Sequence, residues 1–86
     1  MAMYRNIPIR AITESASREA EEIGLNLDDI ANFLANSYDC AKGKRKKGIE
    51  ERCIRKDGKI LKIVIELRTS KSGFKYWRIR QAGFVR

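Results

Sequence analysis

Ile49-Glu50-Glu51-Arg52-Cys53-Ile54-Arg55-Lys56-Asp57-Gly58-Lys59-Ile60-Leu61-Lys62-Ile63-Val64-Ile65-Glu66-Leu67-Arg68 is the stretch on which the fold turns. Its apolar residues recur every second position and its branched side chains favour pleated backbone. Asp-Gly in the middle is a hairpin signal. The reading is two antiparallel strands, Ile49–Arg55 and Lys59–Arg68. They are joined by a three-residue loop, Lys56-Asp57-Gly58, with Gly58 in the left-handed position. That register sets Cys53 opposite Leu61 and Ile49 opposite Ile65, apolar against apolar. A two-residue Asp57-Gly58 turn would instead place Arg52 opposite Ile63 on the same face, so the three-residue loop is the expectation.

Leu61, Ile63, Ile65 and Leu67 then face a core, and Ile60, Lys62, Val64, Glu66 and Arg68 face away. Downstream, Thr69–Gly73 reads as a loop. A third strand, Lys75–Gln81, sends Trp77 and Ile79 to the core and Tyr76, Arg78 and Arg80 to the other side. Gly83–Arg86 reads as a tail, with Phe84 tucked on the core.

Upstream, the periodicity changes from two to 3.6. Ile12, Ala16, Ala20 and Ile23 line one face of a helix over Thr13–Ile23, capped by Thr13 or Ser15 and closed by Gly24. Leu27, Ile30, Ala31, Leu34 and Tyr38 line a second helix over Leu27–Ser37. Asn26 is its cap, and Asp28 and Asp29 sit in its first turn. Met1–Arg10 is extended, since Pro8 biases Ile7 away from helix. Asp39–Gly48 reads as a loop. The expected architecture is one α+β domain over residues 1–86, with two N-terminal helices packed on one face of a three-stranded antiparallel β-meander.

Composition bounds what this domain does. Hydrophobic residues are 43% of the chain, enough to fold rather than stay disordered. No apolar run is long enough to span a membrane, and the start lacks the apolar stretch of a signal peptide, so a cytoplasmic protein without a membrane partner is expected. Cys40 and Cys53 are the only cysteines and there is no histidine. That excludes a zinc site and every His-based triad, and no metal or cofactor is expected. Two reduced thiols are the expected state, with a Cys40–Cys53 disulfide as the alternative.

The net charge of +8 is unevenly spread. Residues 1–38 carry three basic and six acidic side chains, a net of −3, and residues 39–86 carry sixteen and five, a net of +11. Such asymmetry suits an anionic partner. Abundant Ile, Lys, Arg and Glu also lean towards a thermophilic composition, which by itself accounts for a charged surface.

Two groups of residues follow as a candidate nucleic-acid interface. Lys62, Arg68, Tyr76, Arg78 and Arg80 share the outer sheet face by strand parity. Cations there would neutralise phosphates, and the tyrosine ring would stack on an unpaired base. The competing reading pairs Arg78 and Lys62 with Glu66 across strands. Lys42, Lys44, Arg45, Lys46 and Lys47 form a dense basic run that suits sequence-blind phosphate contacts or plain solvation. Catalysis without histidine would need Lys, Arg, Tyr, Asp or Glu. Arg78 and Arg80 could stabilise charge, and Tyr76 could move a proton only with a much lowered pKa. Any basic strand offers these parts, so whether the chain is an enzyme stays open here.

The segment Ile12-Thr13-Glu14-Ser15-Ala16, then Glu22-Ile23-Gly24-Leu25-Asn26-Leu27-Asp28-Asp29-Ile30, followed by a basic loop and strands, resembles a family of small uncharacterised domains related to the RelE, ParE and BrnT toxins. Ser15 and Ile23 stand where family members often have histidine and arginine. The resemblance implies a RelE-like architecture and an RNA or ribosome partner. It also implies either a toxin-type ribonuclease, with Tyr76, Arg78 and Arg80 in that part, or an inactive relative. The alternative is a protein-interaction module whose basic sheet binds an acidic partner, such as an antitoxin-like segment. A DNA-binding role is disfavoured, because both helices are acidic outside.

Overall fold

The computed structural model describes residues 1–40 and 46–85. The elements in chain order are β1 (Met3–Tyr4), β2 (Ile7–Ile12), α1 (Glu14–Glu22), α2 (Leu27–Ala35), β3 (Tyr38–Asp39), β4 (Ile49–Lys56), β5 (Lys59–Thr69) and β6 (Lys75–Phe84). The expectation of two helices on a three-stranded meander is wrong. The sheet has six strands in the order β1-β2-β6-β5-β4-β3, it is mixed, and it curls into a half-barrel. β2 runs parallel to β6, with Ile9 beside Trp77 and Ile12 beside Ile79, and the other pairs are antiparallel.

Three local features create the strands that the alternation did not reveal. Arg5 and Asn6 both take positive φ, 53° and 63°, so the supposedly extended N-terminus folds into a tight hairpin. Tyr38 and Asp39 pair with Cys53 and Arg52, so a two-residue edge strand takes Asp39 from the expected loop and Tyr38, now exposed, from the expected helical stripe. β6 runs on to Phe84, which pairs with Leu61, so residues read as a tail belong to the sheet. Along β6 the register against β5 slips between Ile79 and Gln81, leaving Arg80 as the extra residue of a bulge. The bulge resets parity, and both Ile79 and Ala82 are fully buried.

The β4–β5 turn also differs from expectation. Lys56 pairs with Lys59, Arg52 with Ile63 and Cys53 with Lys62. The connection is the two-residue Asp57-Gly58 turn, with φ of 51° and 78°. The matching of apolar residues failed because Arg52 is at home on the core side, with only 8% of its surface exposed. Its Nε donates to Ser37 Oγ at 2.9 Å, one Nη to the Ser37 carbonyl at 2.8 Å, and the other Nη to Asp39 at 2.6 Å. A buried guanidinium so satisfied ties β4 to the end of α2 and to β3.

The helices begin and end where their caps dictate. Thr13 Oγ1 accepts from Ala16 N, and Gly24, at φ 72°, closes α1. Asn26 and Asp29 form a reciprocal capping box on α2. Both helices are shorter than the expected ranges, because Ile23 and Asn36 already leave helical geometry as C-caps. α1 packs on β6, where Glu19 also accepts a hydrogen bond from Ala82 N at 3.2 Å. α2 touches both β1 and β4 and fills the open side of the half-barrel. Across that opening Arg5 donates to both oxygens of Glu50, at 2.7 and 3.0 Å.

Ile30 and Leu34 of α2 pack with Leu61, Ile63, Ile65, Trp77 and Ile79 in the core. The Trp77 indole is satisfied by the Tyr4 carbonyl at 2.9 Å. The expectation of two reduced thiols is corrected: Cys40 and Cys53 form a disulfide that fastens the end of β3 to β4. Cys53 and Val64 are buried yet stand apart from the core cluster, which places them on the outer face. Among the described residues no helix is long and apolar enough to cross a membrane.

Candidate nucleic-acid interface

The outer face of β5 and β6 follows directly from which residues the core claims. Leu61, Ile63 and Ile65 point inward, so Lys62, Val64, Glu66 and Arg68 point outward. Trp77 and Ile79 point inward, so Tyr76 and Arg78 point outward. Cross-strand register then sets Arg78 opposite Glu66 and Tyr76 opposite Arg68. The bulge keeps Arg80 on this side as well, within reach of the same carboxylate.

Glu66 is the centre of the cluster. Arg68 lies 3.6 Å from Oε1, Arg78 3.8 Å from Oε1, and Arg80 4.0 Å from Oε2. All three separations are too long for hydrogen bonds. Glu66 Oε1 is buried and has no hydrogen-bond partner among the described residues. One negative charge thus gathers three guanidiniums while leaving their N–H donors free of it. The four side chains sum to a charge of +2, on a surface where Arg80 is exposed and Arg78 half-buried.

Not every candidate joins this cluster. Lys62 is four positions from Glu66 along β5, about 13 Å at strand rise. Its ammonium is engaged by Glu51 at 2.6 Å. Lys62 therefore pairs across strands, but with Glu51 rather than Glu66, and Arg78 does face Glu66 as the competing reading had it. Lys46 and Lys47 are exposed. They enter β4 at the Arg68 end of the sheet, since the neighbouring Gly48 carbonyl accepts from Leu67 N at 2.7 Å. Lys42, Lys44 and Arg45 lie outside the described residues.

Two residues that the strand reading missed belong to the same face. Phe74 precedes β6 but continues its ladder, because its carbonyl accepts from Ser70 N at 2.8 Å. Its ring has the parity of Tyr76, and the residue is 60% exposed. Arg10 of β2 lays its guanidinium 5.6 Å from the centre of that ring. The available signal was the alternation Phe74, Tyr76, Arg78, Arg80, which was hidden by starting the strand at Lys75.

Among the described residues no group of three or more carboxylates, cysteines or histidines could hold a metal ion. The chemistry on offer is recognition of a polyanion that also presents flat apolar surfaces. No protein-family model, curated protein or solved structure matches the chain.

Proposed function

We propose that the outer face of β5 and β6 binds single-stranded RNA, with phosphates on Arg68, Arg78 and Arg80 and an unpaired base on Tyr76. The observation that carries this reading is the gathering of three guanidiniums around Glu66 at distances too long for hydrogen bonds to it. Arginine forks match phosphate oxygens, and an adjacent aromatic ring gives stacking energy that phosphate contacts alone lack. Lys46 and Lys47, at the same end of the sheet, extend the positive field.

Binding is tested by fluorescence anisotropy with a labelled RNA octamer over a series of salt concentrations. Each phosphate contact on a single strand contributes roughly 0.7 to the slope of log affinity against log salt. Arg78→Gln with Arg80→Gln should reduce that slope by roughly 1.4. Arg18→Gln is the control, since Arg18 sits exposed on α1 and among the described residues pairs only with Glu14. An unchanged slope in the double variant, or no binding of the native protein at low salt, would refute the reading. Binding of an acidic peptide in place of RNA would show the face to be a protein interface. Incubating the complex with ribosomes and messenger RNA tests separately whether binding is accompanied by cleavage.

A further inference from the structure

Resting on the RNA-binding reading, we propose that Phe74 is a second base-stacking position, so that β6 selects an extended, unpaired strand over a duplex. Phe74 and Tyr76 are two residues apart on one face of one ladder, so their attachment points are about 6.6 Å apart. Stacked nucleotides in a duplex strand are spaced about 3.4 Å. Two successive bases can each cover one of these rings only if they have separated from each other. A duplex keeps its bases stacked and paired and cannot meet that spacing.

An exposed phenylalanine is by itself unremarkable on a protein surface. Three observations set Phe74 apart. Its backbone is held at both ends, with Phe74 N donating to Ser70 Oγ at 3.1 Å and the carbonyl accepting from Ser70 N at 2.8 Å. The ring is thus offered to solvent from a tethered position, which lowers the entropy lost when a base covers it. Arg10 approaches the ring from β2 and forms no ion pair among the described residues, so its charge is available to a phosphate beside the stacked base. Lastly, Arg78 and Arg80 continue the same strand beyond Tyr76. The same face therefore offers two rings for bases and two guanidiniums for phosphates.

The probe is an adenine octamer as single-stranded RNA, compared with a G·C-rich RNA duplex long enough to stay annealed at the assay salt. Phe74→Ala should weaken binding of the single strand roughly 5- to 150-fold, the equivalent of one lost stacking contact. Phe74→Leu should weaken it similarly, because it keeps apolar bulk but loses the flat ring. Phe74→Trp should restore affinity, and its indole fluorescence should be quenched with the same midpoint as the anisotropy signal. Duplex affinity should be unaffected by Phe74→Ala. If Phe74→Ala and Phe74→Leu bind like the native protein while Arg78→Gln with Arg80→Gln does not, the second stacking position is refuted and the phosphate-binding reading stands. If the native protein binds neither strand, both fall. Equal loss of single-strand and duplex binding in Phe74→Ala would also overturn the proposal, since it would mean a general rather than a strand-selective contact. Circular dichroism melts confirm that each variant is folded, as expected for a residue outside the core.

Discussion

Reducing the Cys40–Cys53 bridge in the intact protein should lower stability by about 3 kcal/mol. The bridge spans a sequence separation of 13, so it closes a loop of about 14 residues. In the chain-entropy account such a crosslink removes about 10 cal/mol/K from the unfolded chain, or about 3 kcal/mol at 25 °C. The folded state should change little on reduction. β3 is also held by the Tyr38 and Asp39 pairings, by Cys40 N donating to the Glu51 carbonyl at 3.1 Å, and by Arg52 on Asp39. For a domain of this size, 3 kcal/mol corresponds to roughly 12–24 °C in Tm. Urea melts with and without a phosphine reductant, followed by circular dichroism, measure the difference. Thiol titration of the native protein before reduction should detect no free thiol. Two titratable thiols in the untreated protein would refute the crosslink. A difference below 1 kcal/mol with the crosslink proven would refute the loop-entropy reasoning and mean that the segment is already constrained when unfolded.

Two further perturbations probe the core side. Leu34→Ala should cost about 2–5 kcal/mol in urea melts, because Leu34 is 1% exposed and sits where α2 fills the half-barrel; a loss well under 1 kcal/mol would mean that α2 does not close the opening. Arg52→Met should cost about 2–4 kcal/mol, somewhat less than the roughly 3–5 of a fully buried ion pair, because Asp39 is 83% exposed and regains water. Arg52→Lys should recover only part of that loss, since one ammonium cannot reproduce three directed donors, and full recovery would show that charge alone matters there.

Much of the secondary structure was legible along the chain. Both helices were written in their caps, Thr13 and Asn26, and in stripes of period 3.6. The strands β4, β5 and β6 were written in alternation, and the outward set Arg68, Tyr76, Arg78 and Arg80 followed from parity once the inward set was named. The errors share a cause, which is that each depended on a partner distant in sequence. Matching apolar residues across β4 and β5 misplaces Arg52, because its acceptors, the Ser37 carbonyl and hydroxyl and Asp39, arrive from outside the hairpin. Parity groups Lys62 with the arginines, because it cannot tell that Glu51 of β4 lies beside its end of β5. Phe74 lies one residue before the expected strand Lys75–Gln81, and nothing beside it in sequence announces its contact with Arg10 of β2.

By itself the sequence determined where backbone turns helical or extended, which side chains alternate inward, and that positive charge crowds the second half. Those are properties of residues and their near neighbours, set by propensity, capping and period. Only the tertiary structure decided that the N-terminal hairpin joins the sheet through β2 lying parallel to β6. It also decided that the sheet curls until Arg5 meets Glu50, that Cys40 meets Cys53, and that three arginines converge on Glu66. A parallel pairing across more than sixty residues leaves no local mark, because its hydrogen bonds demand no residue type, and the closing contacts exist only once the sheet has twisted enough to bring its far strands together.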